Sequence, residues 1–112
     1  MTFAGPLRGR RGWWRRIVVS PDRRTLLAQW SGECEIQSTY LVSTDDGAVK
    51  PIFEGASSTA EGWSRDDRAR VVLPNEIWGT RAKRLFRAGV YLVDPATLAV
   101  RLERPIQPRH GC

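Results

Sequence analysis

Cysteine, histidine and methionine are nearly absent from this 112-residue chain, which holds two, one and one of them. Cys34, Cys112 and His110 stand alone, with no recognisable ligand spacing, so no metal site is expected. Nothing in the spacing of the two cysteines requires a disulfide, and free thiols suit a reducing, cytoplasmic compartment. Apolar runs are short and none approaches the roughly 20 residues that cross a bilayer. The apolar run after Arg16 is only Ile17–Val19, too short for an h-region, so neither a secretion signal nor a twin-arginine signal at Arg15–Arg16 is expected. A soluble cytoplasmic chain with no membrane partner is the expectation. Hydrolytic machinery is missing too: there is no Gly-x-Ser-x-Gly elbow and no phosphate-cradling glycine loop. A triad of Ser20, Asp22 and His110 would need the C-terminal tail to fold back, and is discounted. Glu33 and Glu35 flank Cys34 as loop carboxylates, which are more often solvated than catalytic. No catalytic residue and no cofactor is expected, and the chain is read as a non-enzyme.

Lysine is scarce as well. Of the 18 cations 16 are arginine, and the net charge is +6. Its placement is uneven: Arg8, Arg10, Arg11, Arg15 and Arg16 crowd the first sixteen residues without an acid. Thirteen cations and twelve anions follow, so a basic arm precedes a nearly neutral body. With 41% hydrophobic residues and five tryptophans, that body has enough apolar mass for one packed domain.

From Ile17 onward the pattern favours strands. Ile17–Ser20 and Thr25–Trp30 flank Pro21-Asp22-Arg23-Arg24, and Thr39–Ser43 and Ala48–Phe53 flank Thr44-Asp45-Asp46-Gly47. Each pair reads as a hairpin, because Asp bonds its own downstream backbone and Gly accepts positive φ. The second half repeats the grammar: Ala60–Ser64, Arg65-Asp66-Asp67-Arg68, Ala69–Leu73, then Gly89–Val93, Asp94-Pro95-Ala96-Thr97, Leu98–Glu103. At an offset of 44 the two Asp turns superpose, and Leu27-Ala28 meets Val71-Val72. At 51, Tyr40-Leu41-Val42 meets Tyr91-Leu92-Val93, the larger offset reflecting a longer internal loop in the second unit. Two four-stranded units of about 45 residues match the period of propeller blades.

Ser20-Pro21-Asp22-Arg23-Arg24-Thr25-Leu26-Leu27-Ala28 resembles the Ser-Pro-Asp-Gly turn and following strand of the TolB-like, WD40-like β-propeller family. Gly62-Trp63-Ser64-Arg65-Asp66-Asp67-Arg68 resembles a second copy, and Tyr40–Val42 and Tyr91–Asp94 resemble that family's third strand. Arg23 and Asp67 stand where the family has Gly, and Arg65 where it has Pro. The resemblance implies an all-β fold of two four-stranded antiparallel blades over residues 14–105, divided as 14–56 and 57–105. A flexible basic arm (1–13) would precede them and a tail (106–112) follow. It also implies protein or peptide binding and no catalysis, with Asp22 and Asp66 as structural turn residues. A collapsed two-sheet sandwich is the alternative, since eight short strands satisfy that signature as well.

Propellers close with typically about four to eight blades, so two would leave outer faces uncovered. Leu27, Trp30, Val42, Val72 and Leu92 are expected on those faces. Self-association, in its simplest form a cyclic trimer, or a protein partner would cover them, unless the chain is a truncated remnant that packs imperfectly.

Two segments read as candidate binding sites. In the arm, Arg8, Arg10, Arg11, Trp13, Trp14, Arg15 and Arg16 combine cations with indoles, a composition that suits phosphates and unpaired bases. The alternative there is a loose, solvated terminus whose Trp13-Trp14 open the first strand. The Pro74–Ala88 insertion carries Trp78, Arg81, Lys83, Arg84 and Arg87, with Arg81–Ala88 expected as a short basic helical turn. A plain surface connection anchored by Trp78 and Phe86 is the alternative. The rival to the scaffold reading is therefore a nucleic-acid-binding protein using the arm and residues 74–88.

Overall fold

A computed structural model describes residues 13–31, 37–53, 57–79 and 83–108. Among them the chain is all-β, with ten strands and no helix. β1 (Trp13–Val19), β2 (Thr25–Ser31), β3 (Gln37–Ser43) and β4 (Val49–Ile52) form one antiparallel sheet in chain order. β5 (Thr59–Trp63), β6 (Ala69–Leu73), β9 (Gly89–Val93) and β10 (Val100–Pro105) form the second. The insertion between β6 and β9 is itself a small two-stranded sheet, β7 (Ile77–Gly79) and β8 (Arg84–Phe86). Both large sheets are open meanders, and no strand is exchanged between them.

The turns are written locally. Ser20 Oγ donates to Asp22 Oδ1 at 2.6 Å and accepts from the Thr25 N–H at 3.1 Å, while the Arg24 N–H donates to the same carboxylate oxygen. Ser64 donates to Asp66 in the corresponding way and accepts from the Arg68 N–H. Arg23 (φ 63°) and Asp67 (φ 61°) occupy the left-handed position that glycine fills without strain. The second hairpin of each sheet repeats the device, with Gly47 at φ 73° and Leu98 at φ 63°, closed by Ser43–Ala48 and Asp94–Ala99 backbone bonds. The offset of 51 therefore holds for both the third strands and their turns.

The second strands depart from the expected superposition by one residue. Tyr40 pairs with Ala28 and Tyr91 with Val71, an offset of 43 rather than 44. A shorter second turn is the cause: its first backbone bond runs from Ser64 N–H to the Arg68 carbonyl, against Ser20 to Thr25 in the first.

The two sheets face each other across one core. Leu27, Leu41 and Ile52 of the first meet Ala60, Ala69, Val71 and Val93 of the second. β5 makes the closest approach, lying against β1, β2 and β3. Beyond Phe53 the core continues as Leu73, Phe86 and Tyr91, so the small hairpin closes its end. Two buried polar links cross between the sheets: the Ala60 N–H donates to Gln29 Oε1 at 3.1 Å, and Thr39 and Ser58 share a hydroxyl bond of 2.7 Å. At the rim the Trp63 indole N–H donates to the Val18 carbonyl, and the Asp22 N–H to Asp67 Oδ1.

Two expectations are corrected here. Leu27, Val42 and Leu92 do not lie on uncovered faces: Leu27 sits between the sheets, and all three are buried within the single chain. Trp30 and Val72 are partly buried. Facing sheets cover Leu27, which a blade drawn in isolation leaves open. The expected helical turn over Arg81–Ala88 is also overturned, because Arg84–Phe86 is strand β8. Alternation decides it: Phe86 and Ile77 pair toward the core while Leu85 and Trp78 pair outward.

Candidate binding surfaces

Three surfaces bear on function, and each is set by which way a strand's residues point. The first is the turn end, where the Asp-centred loops of both sheets meet. Thr44 Oγ1 donates to the Arg23 and Arg24 carbonyls at 3.1 and 3.0 Å, Arg68 pairs with Asp94, and the Asp22 N–H reaches Asp67. Hydrogen bonds from Ser20 and from the Arg24 N–H hold the Asp22 carboxyl below the usual aspartate range, and Ser64 does the same for Asp66. The Ala96 N–H and Arg68 lower Asp94. These groups are acceptors already in use, ionised at neutral pH, and poorly suited to moving a proton. Among the described residues no cluster of His, Cys, Asp and Glu is arranged to hold a metal.

The second surface is the side of the first sheet turned away from the core. Leu27 faces the second sheet, so Leu26 and Ala28 face outward, and with them their β1 partners Val19 and Ile17. Trp14 stacks edge-on against Trp30 at 5.1 Å and Tyr40 at 5.8 Å on this side. Ala28, Tyr40 and Val42 are buried, whereas Ile17 and Val19 stay 44% and 50% exposed. The opposite outer face, on the second sheet, is closed differently. Arg70 on β6 makes two 3.0 Å bonds to the Glu103 carboxylate on β10, and β9 runs between those strands. The ion pair straps β9, where Val90 and Leu92 are buried, and holds the Glu103 carboxyl below its ordinary range.

The third surface is the β7–β8 hairpin. Phe86 anchors it, packing edge-on to Phe53 (5.5 Å) and Tyr91 (5.9 Å), with the Arg84 guanidinium over its ring at 4.3 Å. Gly79 is required beside it, since a Cβ there would overlap the Phe86 ring. Tyr91 donates its hydroxyl to the Arg87 carbonyl, and burial pushes that hydroxyl's pKa upward. On the solvent side Trp78 and Leu85 form a cross-strand pair, 61% and 56% exposed. Lys83, Arg84 and Arg87 of the same segment are exposed, as is Glu76.

The sequence-derived candidates thus fall into separate places. Arg8, Arg10, Arg11 and Arg81 lie outside the described residues, as do Cys34, Cys112 and His110. Trp13 opens β1. Trp14 is built into the aromatic cluster, Arg16 donates to the Glu61 carbonyl at 3.2 Å, and Arg15 is exposed. Trp78, Lys83, Arg84 and Arg87 are brought together on the hairpin. Leu85, Ile17 and Val19 were missed as surface residues. The pairing of Ile77-Trp78-Gly79 with Arg84-Leu85-Phe86 is what places Trp78 and Leu85 on one side. Comparison with family models, curated proteins and solved structures returns no match for the chain.

Proposed function

We propose that the chain is a non-catalytic binding module built from two TolB-like, propeller-type blades, completed by a second copy or a protein partner. Consecutive four-stranded meanders with recurrent Ser-x-Asp turns support the blade reading. The observation that carries the binding reading is the exposed pair Ile17 and Val19 beside the Trp14–Trp30–Tyr40 cluster. Aromatic and aliphatic groups at a surface margin are what protein interfaces use as anchors. The Arg70–Glu103 strap makes the other outer face a charged one, so completion runs through the first sheet's side. A two-fold pairing through that side fits this asymmetry better than a cyclic ring, in which every apolar face would meet a strapped one. The nucleic-acid reading draws less support, because Trp14 and Arg16 are engaged within the fold.

Light scattering after size-exclusion chromatography, at two protein concentrations, tests the proposal. A stable multiple of 12.7 kDa that Ile17→Lys or Val19→Glu converts to monomer is the expected result for self-completion. A monomer that captures a defined protein partner, with capture lost in the same variants, fits completion by a partner. A monomer that captures none refutes the proposal.

A further inference from the structure

We propose that the β7–β8 hairpin is a docking element for anionic lipid surfaces, independent of the blade reading. The hairpin sets an indole and an aliphatic side chain next to each other in solvent, Trp78 at 61% and Leu85 at 56% exposure. Neither serves the core, which the opposite side of the hairpin supplies through Ile77 and Phe86. Exposed apolar pairs of this size are costly to leave in water unless something covers them.

Charge selects the occupant. Lys83, Arg84 and Arg87 are exposed against a single acid of the segment, Glu76. Lys83 and Arg87 alternate with Leu85 on the solvent side, while Arg84 is fixed over the Phe86 ring on the other side of the hairpin. An interfacial indole, an aliphatic group that enters the acyl boundary, and basic residues at headgroup level form the composition of a membrane-surface anchor. Single-stranded nucleic acid would use the cations and Trp78 but has no use for Leu85, since bases stack on aromatic faces. The absence of a spanning segment, which led to the expectation of no membrane partner, does not bear on binding of this kind. The hairpin's base is tied to the core: Gly79 lets the backbone lie against Phe86, and Phe86 packs edge-on with Phe53 and Tyr91.

The test is sedimentation of the full chain with vesicles of phosphatidylcholine alone and with about one quarter phosphatidylserine. Each cation near an anionic surface contributes roughly five-fold in affinity, so the expected preference for the anionic vesicles is on the order of 100-fold. Leu85→Ser and Trp78→Ser should each weaken binding roughly ten-fold while leaving the thermal midpoint unchanged, because both side chains are exposed. Lys83→Gln with Arg87→Gln should reduce the preference for phosphatidylserine. Vesicle binding unaltered in Leu85→Ser and Trp78→Ser would overturn the proposal, since the arginine-rich N-terminal segment would then account for it. Binding of a labelled single-stranded oligonucleotide through these residues without vesicle binding, or failure to bind vesicles at all, would overturn it equally.

Discussion

Replacing Arg23 by glycine should make this protein more stable, and the size of the gain follows from one dihedral angle. Arg23 sits at φ 63°, where an L side chain costs about 1–2 kcal/mol. Glycine removes that strain but adds about 0.4–1 kcal/mol of backbone freedom to the unfolded chain. The net expectation is a gain of about 0.5–1 kcal/mol. Nothing else is lost, because the side chain is exposed and the turn's bonds use backbone atoms of Arg23: its N–H donates to Ser20 and its carbonyl accepts from Thr44. In urea the midpoint should rise with an unchanged slope, and the melting temperature should rise by about 2–5 °C. Arg23→Ala is the decisive control, since alanine keeps the steric cost and discards only the charge. It should fall near the parent. Two further sites share the dihedral but not the outcome. Asp67→Gly relieves the same strain yet removes the acceptor for the Asp22 N–H, so the gain should largely vanish. Leu98→Gly should be destabilising, because Leu98 packs on the core. If Arg23→Ala stabilises as much as Arg23→Gly, the strain argument is wrong and charge repulsion is the cause.

The buried hydroxyl pair between the sheets gives a second expectation. Thr39→Val should cost about 1–3 kcal/mol by leaving Ser58 unsatisfied, and adding Ser58→Ala should restore much of it, a coupling that a double-mutant cycle in urea measures. Acid supplies the third. Asp22, Asp46, Asp66 and Asp94 are all held below the ordinary aspartate value of 3.8, so the turns favour folding above that pH. The contribution is lost as pH falls from about 3.8 through the lower folded values, and urea midpoints should drop over that window. Asp22→Asn should flatten part of the drop, and an unaltered pH profile in that variant would remove the turn from the explanation.

Much of the architecture was legible in short stretches of chain. A Ser-x-Asp turn is satisfied within about five residues, so Ser20–Thr25 and Ser64–Arg68 announce their hairpins without help from elsewhere. Ala69–Leu73 is likewise set by alternation, and Gly89–Val93 by a continuous apolar run rich in β-formers. The β7–β8 insertion was harder to read, because its three-residue strands are too short for a period and its cations suggested a helix. Its surface pair became visible only once Phe86 was seen to turn inward and anchor on Phe53 and Tyr91.

By itself, then, the sequence determined the strands of the two four-stranded units, the turns that join them and the doubling of the unit, because each depends on neighbours a few residues apart. Tertiary structure alone decided which face of each sheet is covered. The Arg70–Glu103 strap joins residues 33 apart, the Thr39–Ser58 bond spans 19, and the Gln29–Ala60 bond spans 31. Whether a valine or leucine is core or surface depends on the strand laid across it, and that is fixed by packing between distant segments.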